Sequence, residues 1–363
     1  MNKLHYNDIT EELIKQAPEG KYSPSRLRNK DGLRYAILRG HFLWVSRVQY
    51  NPQGNLLVST SSGDGLVKVW DLKTGKCIKT LYEIGNQHVE GAVFSPDGKF
   101  LAVYSNKLNP DLYYLRVGEV KVWDLETFEL RFETSINGWL SDIAFSPDVT
   151  KIAIAGEYHD DPYSHYKEDD AVMIWDIRTG NKVRRLSAKY EADDCDFYGD
   201  STKKLVLSLD INAIAYRPDG AYLAAGTNDC SVKTWTLANG KRQKNLWSND
   251  WQIKDVEFGH GTDRFATASE TVCVWSYETG KLIREFEFTN YAERLEFSAD
   301  DSRLAVYYPN SHAVVVWDVE AGAEICRYVD DRYQVFDISF CPDGKHVALA
   351  MNNSTIRIWD LPE

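Results

Sequence analysis

A tryptophan ends a β-branched or aliphatic run seven times along this chain, at Trp70, Trp123, Trp175, Trp235, Trp275, Trp317 and Trp359. Five of them are followed by aspartate: Asp71, Asp124, Asp176, Asp318 and Asp360. A beat of roughly forty residues marks a unit that cannot bury its apolar face alone and must stack on copies of itself. At that period the unit is a four-stranded antiparallel blade, and such blades arrange radially into a propeller. The beat therefore fixes an architecture, a rigid platform, before it says anything about what the platform holds.

A second beat runs in phase with the first. Seven aromatic residues each close an alternating stretch just before a turn: Tyr50, Phe94, Phe145, Tyr216, Phe258, Phe297 and Phe340. Two positions earlier stand Val48, Ala92, Ile143, Ile214, Val256, Leu295 and Ile338, a period of two that commits one strand face to a neighbour. The turns include Asn51-Pro52-Gln53-Gly54, Ser95-Pro96-Asp97-Gly98, Ser146-Pro147-Asp148, Arg217-Pro218-Asp219-Gly220 and Cys341-Pro342-Asp343-Gly344. Proline presets φ at the second position and glycine takes the positive-φ position, so these are tight reversals. After the tryptophans come Thr74-Gly75, Thr179-Gly180, Asn239-Gly240, Thr279-Gly280 and Ala321-Gly322, which suit hairpin loops.

This order of strands and turns closely resembles the WD40 family over residues 33–361. The resemblance implies an all-β, seven-bladed propeller. It also implies, within a blade, a hydrogen-bonded set of His, Asp, Ser or Thr, and Trp. The first repeat offers His41, Ser62, Asp64 and Trp70 for that set; the fourth keeps Thr227, Asp229 and Trp235 without a histidine. The other repeats lack more, which leaves their blades to packing.

After Asp360 only Leu361, Pro362 and Glu363 remain, too few for an outer strand. Leu33–Leu38 alternates like a strand ahead of the first inner strand. It is expected to pair with the third strand of the last blade and close the ring, which removes open sheet edges. The chain thus divides into an N-terminal extension, 1–32, and a propeller, 33–363. Within the extension Asp8 and Glu11 give a capping-box signal, and Ile9, Leu13 and Ile14 form a short helical stripe ended by Pro18. Residues 19–32 read as a basic linker.

Three insertions interrupt the repeat. Aromatic to tryptophan is about 20 residues in most units but 29 in the second and 30 in the third, and Trp175 to Tyr216 is 41. The extra chain falls near 105–117, 156–170 and 188–208. The first two lie between second and third strands and the last between an outer and an inner strand, so an up-and-down blade puts all three on one face. Long loops on one side of a rigid scaffold are where binding concentrates. Residues 156–170 carry about −5 (Glu157, Asp160, Asp161, Glu168, Asp169 and Asp170 against Lys167). Residues 189–200 carry about −4, with Asp193, Asp194 and Asp196 among the acids. Tyrosines are interleaved, Tyr158, Tyr163, Tyr166 and Tyr190 among them, and the first insertion adds Tyr113, Tyr114 and Arg116. Six or seven residues before each inner-strand aromatic stand Trp44, His88, Trp139, Asp210, Trp251, Tyr291 and Tyr333, where inner strands begin. Acid and aromatic side chains on one rim suit a basic, Arg- or Lys-bearing protein segment.

Other functions are disfavoured. A net charge of −12 argues against direct nucleic-acid binding, which needs clustered Lys and Arg. No apolar run approaches 18 residues and no leader-like segment opens the chain, so neither a membrane span nor a secretion signal is expected. Six cysteines without a CxxC pair read as reduced thiols of a cytoplasmic or nuclear protein. No phosphate loop, serine elbow or zinc-protease motif occurs, and no cofactor, metal or enzymatic activity is expected. The chain reads as a non-enzymatic scaffold or adaptor within a multiprotein complex, binding a protein segment. One alternative comes from Trp175-Asp176-Ile177-Arg178, which resembles the WDxR element of propellers that act as substrate receptors of cullin-type ubiquitin ligases. There Arg178 would meet the adaptor.

Overall fold

The computed structural model describes residues 21–28, 34–82, 87–108, 116–159, 170–188, 209–243, 246–247, 251–261, 263–288, 290–330 and 332–362. Strands fall into seven antiparallel sheets, six of four strands and one of five. The inner strands are Arg47–Tyr50, Gln87–Phe94, Leu140–Phe145, Ile211–Tyr216, Asp255–Phe258, Arg294–Phe297 and Val335–Phe340. Each is followed outward by a second strand and a third strand bearing the repeat's tryptophan; in the first six blades an outer strand comes next in the chain, and in the seventh the N-terminal segment supplies it. The period-two alternation gives every blade two buried faces. In the first blade Val48, Tyr50, Leu57 and Trp70 pack against Cys341, Ala348 and Ala350 of the seventh. Its other face presents Val58, Val67 and Val69 to Ala92, Phe94 and Leu101 of the second. Burying such side chains on both faces stabilises each blade–blade contact by about 1.5–3 kcal/mol for each Val, Leu or Phe and by less for each alanine.

Local sequence sets the reversals. Gly54, Gly98, Gly220 and Gly344 hold φ between 68° and 71°, as the turn pattern requires. At the tryptophan the pairing of third with outer strand slips by one residue, at Val69/Trp70, Ile174/Trp175, Val274/Trp275 and Val316/Trp317. A bulge there bends the outer strand and adds twist.

The ring closes through the N-terminal segment. Arg34–Arg39 pairs with Thr355–Asp360, with Tyr35 opposite Trp359 and Leu38 opposite Ile356. The Tyr35 and Trp359 rings stack at 4.5 Å. Residues 21–28 depart from the linker reading: Lys21–Arg28 adds a fifth strand, with Lys21 opposite Arg39 and Arg28 opposite Arg34. The composition that reads as linker is that of an edge strand, where basic residues and proline discourage further pairing, and Pro24 sits where the register shifts. The stripe of Ile9, Leu13 and Ile14 lies outside the described residues.

The first insertion is also more ordered than a loop. Phe100–Leu108 and Arg116–Asp124 stay paired up to Leu108 opposite Arg116, so blade 2 carries a taller hairpin. Asn106, fully buried, accepts from the Leu140 N–H and donates to the Leu140 carbonyl, both at 2.8 Å. Its amide stands in for a strand partner and ties blade 2 to blade 3.

Candidate functional site

The face where the inner strands begin gathers the mouth aromatics and the feet of the insertions. Trp44, Trp251 and Tyr333 are 42%, 53% and 37% exposed. His88 is also exposed, while Trp139 and Tyr291 are half-buried. The Trp44 indole N–H donates to Ser62 Oγ at 3.3 Å. Trp139 lies under the Arg116 guanidinium, 5.2 Å from its ring centre, and Arg116 pairs with Glu157 at 3.4 Å. Glu157 also pairs with His159 at 3.3 Å. Backbone bonds join these feet: Gly138 N–H to the Arg116 carbonyl, Glu157 N–H to the Trp139 carbonyl, and His159 N–H to the Asn137 carbonyl. A Cβ on Gly138 would stand 1.7 Å from the Glu157 carbonyl oxygen, so only glycine permits this crossing. The second and third insertions meet likewise, where Asp170 accepts from the Ile211 N–H at 2.9 Å and its own N–H reaches the Leu209 carbonyl.

Some of the loop residues are structural. Tyr158 is buried against Ala171 and Met173. Asp170 is buried in the bond just described, so the free charge of the second insertion is smaller than its sequence count. Asp160, Asp161, Tyr163, Asp193, Asp194 and Asp196 lie outside the described residues. Arg178 is exposed on the opposite face, in the hairpin after Trp175, with its N–H on Asp176 Oδ1 at 3.0 Å.

The hydrogen-bonded set of blade 1 differs in one member. His41 Nδ1 meets Asp64 at 3.0 Å, and both His41 Nε2 and the Trp70 indole N–H meet Ser59 Oγ at 2.8 Å. Ser62 is not in it. It stands beyond the strand Leu56–Ser61, in the loop, and bonds Ser46. In blade 4, Asp229 is instead held by Thr227, Ser231 and, at 2.7 Å, by Lys233.

Below the mouth, the channel wall is built from side chains that the strand pattern alone does not single out. Three residues before the closing aromatic stand Asp142, Asp255 and Asp337, on alternate blades 3, 5 and 7. Each accepts from the next residue's N–H and from the N–H of the following blade. Asp142 serves Ile143 and Ile214, at 2.9 and 2.8 Å. Asp255 serves Val256 and Leu295, both at 3.0 Å. Asp337 serves Ile338 and, at 2.9 Å, Val48. Two residues further on, Gln49, Glu257, Glu296 and Ser339 accept in the same way from Phe94, Phe297, Phe340 and Tyr50. Inner-strand N–H groups that no strand pairs are thereby satisfied across blade boundaries. Arg47 and Arg294 each come within 3.6 Å of Asp337. Burial pushes Asp142 and Asp337 up to about 6, and Asp255 and Glu296 up to about 8. Aligning the repeats would have shown these acids in one phase; reading each strand for its apolar face passes over them.

Two family models match this chain. One, described as "Nucleolar protein 10-like, N-terminal domain", covers residues 101–296, more than half of the chain. The other, "WD domain, G-beta repeat", covers 32–71 and 326–360. The chain belongs to the WD40 β-propeller family. WD40 propellers are typically protein-interaction scaffolds and usually non-catalytic. The chain is similar to Apoptotic protease-activating factor 1 of Homo sapiens, 20% identical over 90% of this chain but only 26% of that protein. It is similar to THO complex subunit 3 of Arabidopsis thaliana, 21% identical over 74% of this chain and 73% of the relative. It is also similar to the Target of rapamycin complex subunit wat1 of Schizosaccharomyces pombe, 26% identical over 53% and 62%. The chain thus spans about a quarter of the first of these and somewhat less than two thirds of the third. Among the described residues no helix is long and apolar enough to cross a membrane.

Proposed function

We propose that this WD40 propeller is a non-enzymatic subunit of a multiprotein assembly that holds a basic, Arg- or Lys-bearing protein segment. The segment lies across the channel mouth and the insertions over blades 2–4. The observation that carries this reading is the exposure of Trp44, Trp251 and Tyr333 on the face that bears the feet of all three insertions. Large exposed aromatic side chains are the usual interface anchors. The acids that the insertions carry in the sequence would steer a cationic partner and make its capture salt-dependent. Two relatives, named as subunits of the THO and Target of rapamycin complexes, support a role in an assembly. The match to a nucleolar-protein-like domain favours the nucleus over the cytoplasm.

The test is capture of Arg/Lys-rich peptides on the purified protein at low and moderate salt. Reversing the charge of Asp160, Asp161, Asp193 and Asp194 should weaken capture and flatten its salt dependence. Trp251→Ala should lower affinity by about tenfold or more, as expected of an anchor. Capture that ignores both changes at low salt would sink the reading.

A further inference from the structure

The opposite face carries a constellation that interaction with a protein segment does not use. In blades 2, 3 and 6 the turn after the inner strand is built on serine. Ser95, Ser146 and Ser298 donate to Asp97, Asp148 and Asp300 at 2.6, 2.6 and 2.7 Å. Each hydroxyl also accepts, at 2.9 Å, from the N–H five residues on, at Phe100, Lys151 and Arg303. Blade 7 keeps the aspartate, Asp343, but replaces the serine with Cys341 and places His346 five residues on. None of the other six turns has a thiol or an imidazole at either position.

We propose that Cys341, Asp343 and His346 form a divalent-metal site of the zinc class on the turn face of blade 7. One donor atom from each lies within 4.8 Å of the others. His346 Nδ1 is 2.7 Å from Asp343 Oδ2. The turn that presents them is fixed by its backbone, with Gly344 N–H on the Cys341 carbonyl at 2.9 Å and Cys341 N–H on the His346 carbonyl at 2.8 Å. The remaining imidazole nitrogen, Nε2, is 3.6 Å from Asp360 Oδ1. At 2.7 Å the Nδ1–H donates to the Asp343 carboxylate, so an ion would take that proton's place: the imidazole moves its proton to Nε2, on the side of the Asp360 carboxylate, the arrangement found behind metal-binding histidines. A thiolate with an imidazole selects zinc-like ions over magnesium or calcium, which prefer oxygen alone. Cys341 is buried while Asp343 and His346 reach solvent, so a fourth position opens outward. Binding releases the thiol proton as the sulfur–metal bond forms. Thiolate and carboxylate then balance the dication.

The test is titration of the purified full chain with Co²⁺, reading the thiolate-to-cobalt charge-transfer absorption, followed by displacement with Zn²⁺. One equivalent should bind and give the band, and zinc should remove it. Cys341→Ser returns the turn to the serine form of blades 2, 3 and 6; it should still fold and melt cooperatively, at a somewhat lower temperature because the thiol packs against blade 1, and it should lose the band. Asp360→Asn should weaken Co²⁺ binding by about 10- to 100-fold, the usual effect of losing such a supporting carboxylate. No band in the unaltered protein, or a band that survives Cys341→Ser, overturns the site. The peptide capture proposed above involves the other face and should be the same with and without chelator.

Discussion

Ser59 shows how much of a blade's polar chemistry rests on a single oxygen. It accepts from the Trp70 indole and meets His41, which in turn meets Asp64, and all four side chains are buried. Removing it leaves two buried nitrogens without their partner, which costs about 2 kcal/mol or more. Ser59→Ala should therefore lower stability by that amount in denaturant melts, while Ser62→Ala should stay within about 0.5 kcal/mol of the parent. Equal effects would show that the set is drawn wrongly. The contrast also explains why a motif reading chose the wrong serine. Both residues lie near Asp64, and only the strand's alternation puts Ser59 on the face of Leu57 and Trp70. In three other blades the tryptophan works without such a set. The buried indole nitrogens of Trp123, Trp175 and Trp359 have no hydrogen-bond partner among the described residues, so those blades gain from the ring's packing alone.

At the scale of an element, the strand Arg34–Arg39 holds the first blade to the last. Leu38 is fully buried between them, packed with Val45, Ala350 and Ile356. Leu38→Ala should destabilise the protein by about 2–5 kcal/mol, measured by chemical denaturation. Ile78→Ala, on an outer strand where the side chain is largely exposed, should change little. A small effect at Leu38 would mean that the ring does not depend on this strand. The closing strand was legible because its apolar alternation is intact. The fifth strand, Lys21–Arg28, was not, because an outermost strand is written in the basic and proline residues of a linker. The tall hairpin of blade 2 was hidden for a related reason. Ser105, Asn106 and Lys107 read as loop, yet Asn106 is polar because it bonds the backbone of the next blade. Sequence periodicity registers apolar burial and is blind to polar groups buried in good partnerships.

Over the whole molecule, the seven inner strands share one channel, and its acids couple the blades electrostatically. Among the described residues Asp142, Asp255, Glu257, Glu296 and Asp337 line it, against Arg47 and Arg294 near Asp337. The candidate face above was legible only in outline: the aromatic positions followed from the repeat phase, whereas the channel acids appear only when the blades are set side by side. Their consequence is a pH dependence of unusual sign. Burial raises Asp142 and Asp337 to about 6 and Asp255 and Glu296 to about 8. Glu257 is raised too, by burial and then by the neighbouring Glu296. In the unfolded chain such groups titrate near about 4. Between those limits the folded protein binds more protons than the unfolded one, so stability falls as pH rises. The contribution is fully present below about 4 and is lost in steps through about 6 and about 8. The melting temperature should therefore drop between about pH 5.5 and about pH 8.5, beyond what exposed carboxylates would give. Glu296→Gln keeps an oxygen for the Phe340 N–H and removes the charge that Glu257 opposes. It should melt above the parent at about pH 8.5, converge with it toward about pH 5.5, and flatten the slope. A parent melting temperature that is level or climbs across this range, or a Glu296→Gln variant that tracks it in parallel, would mean that the channel acids are as well hydrated as surface ones.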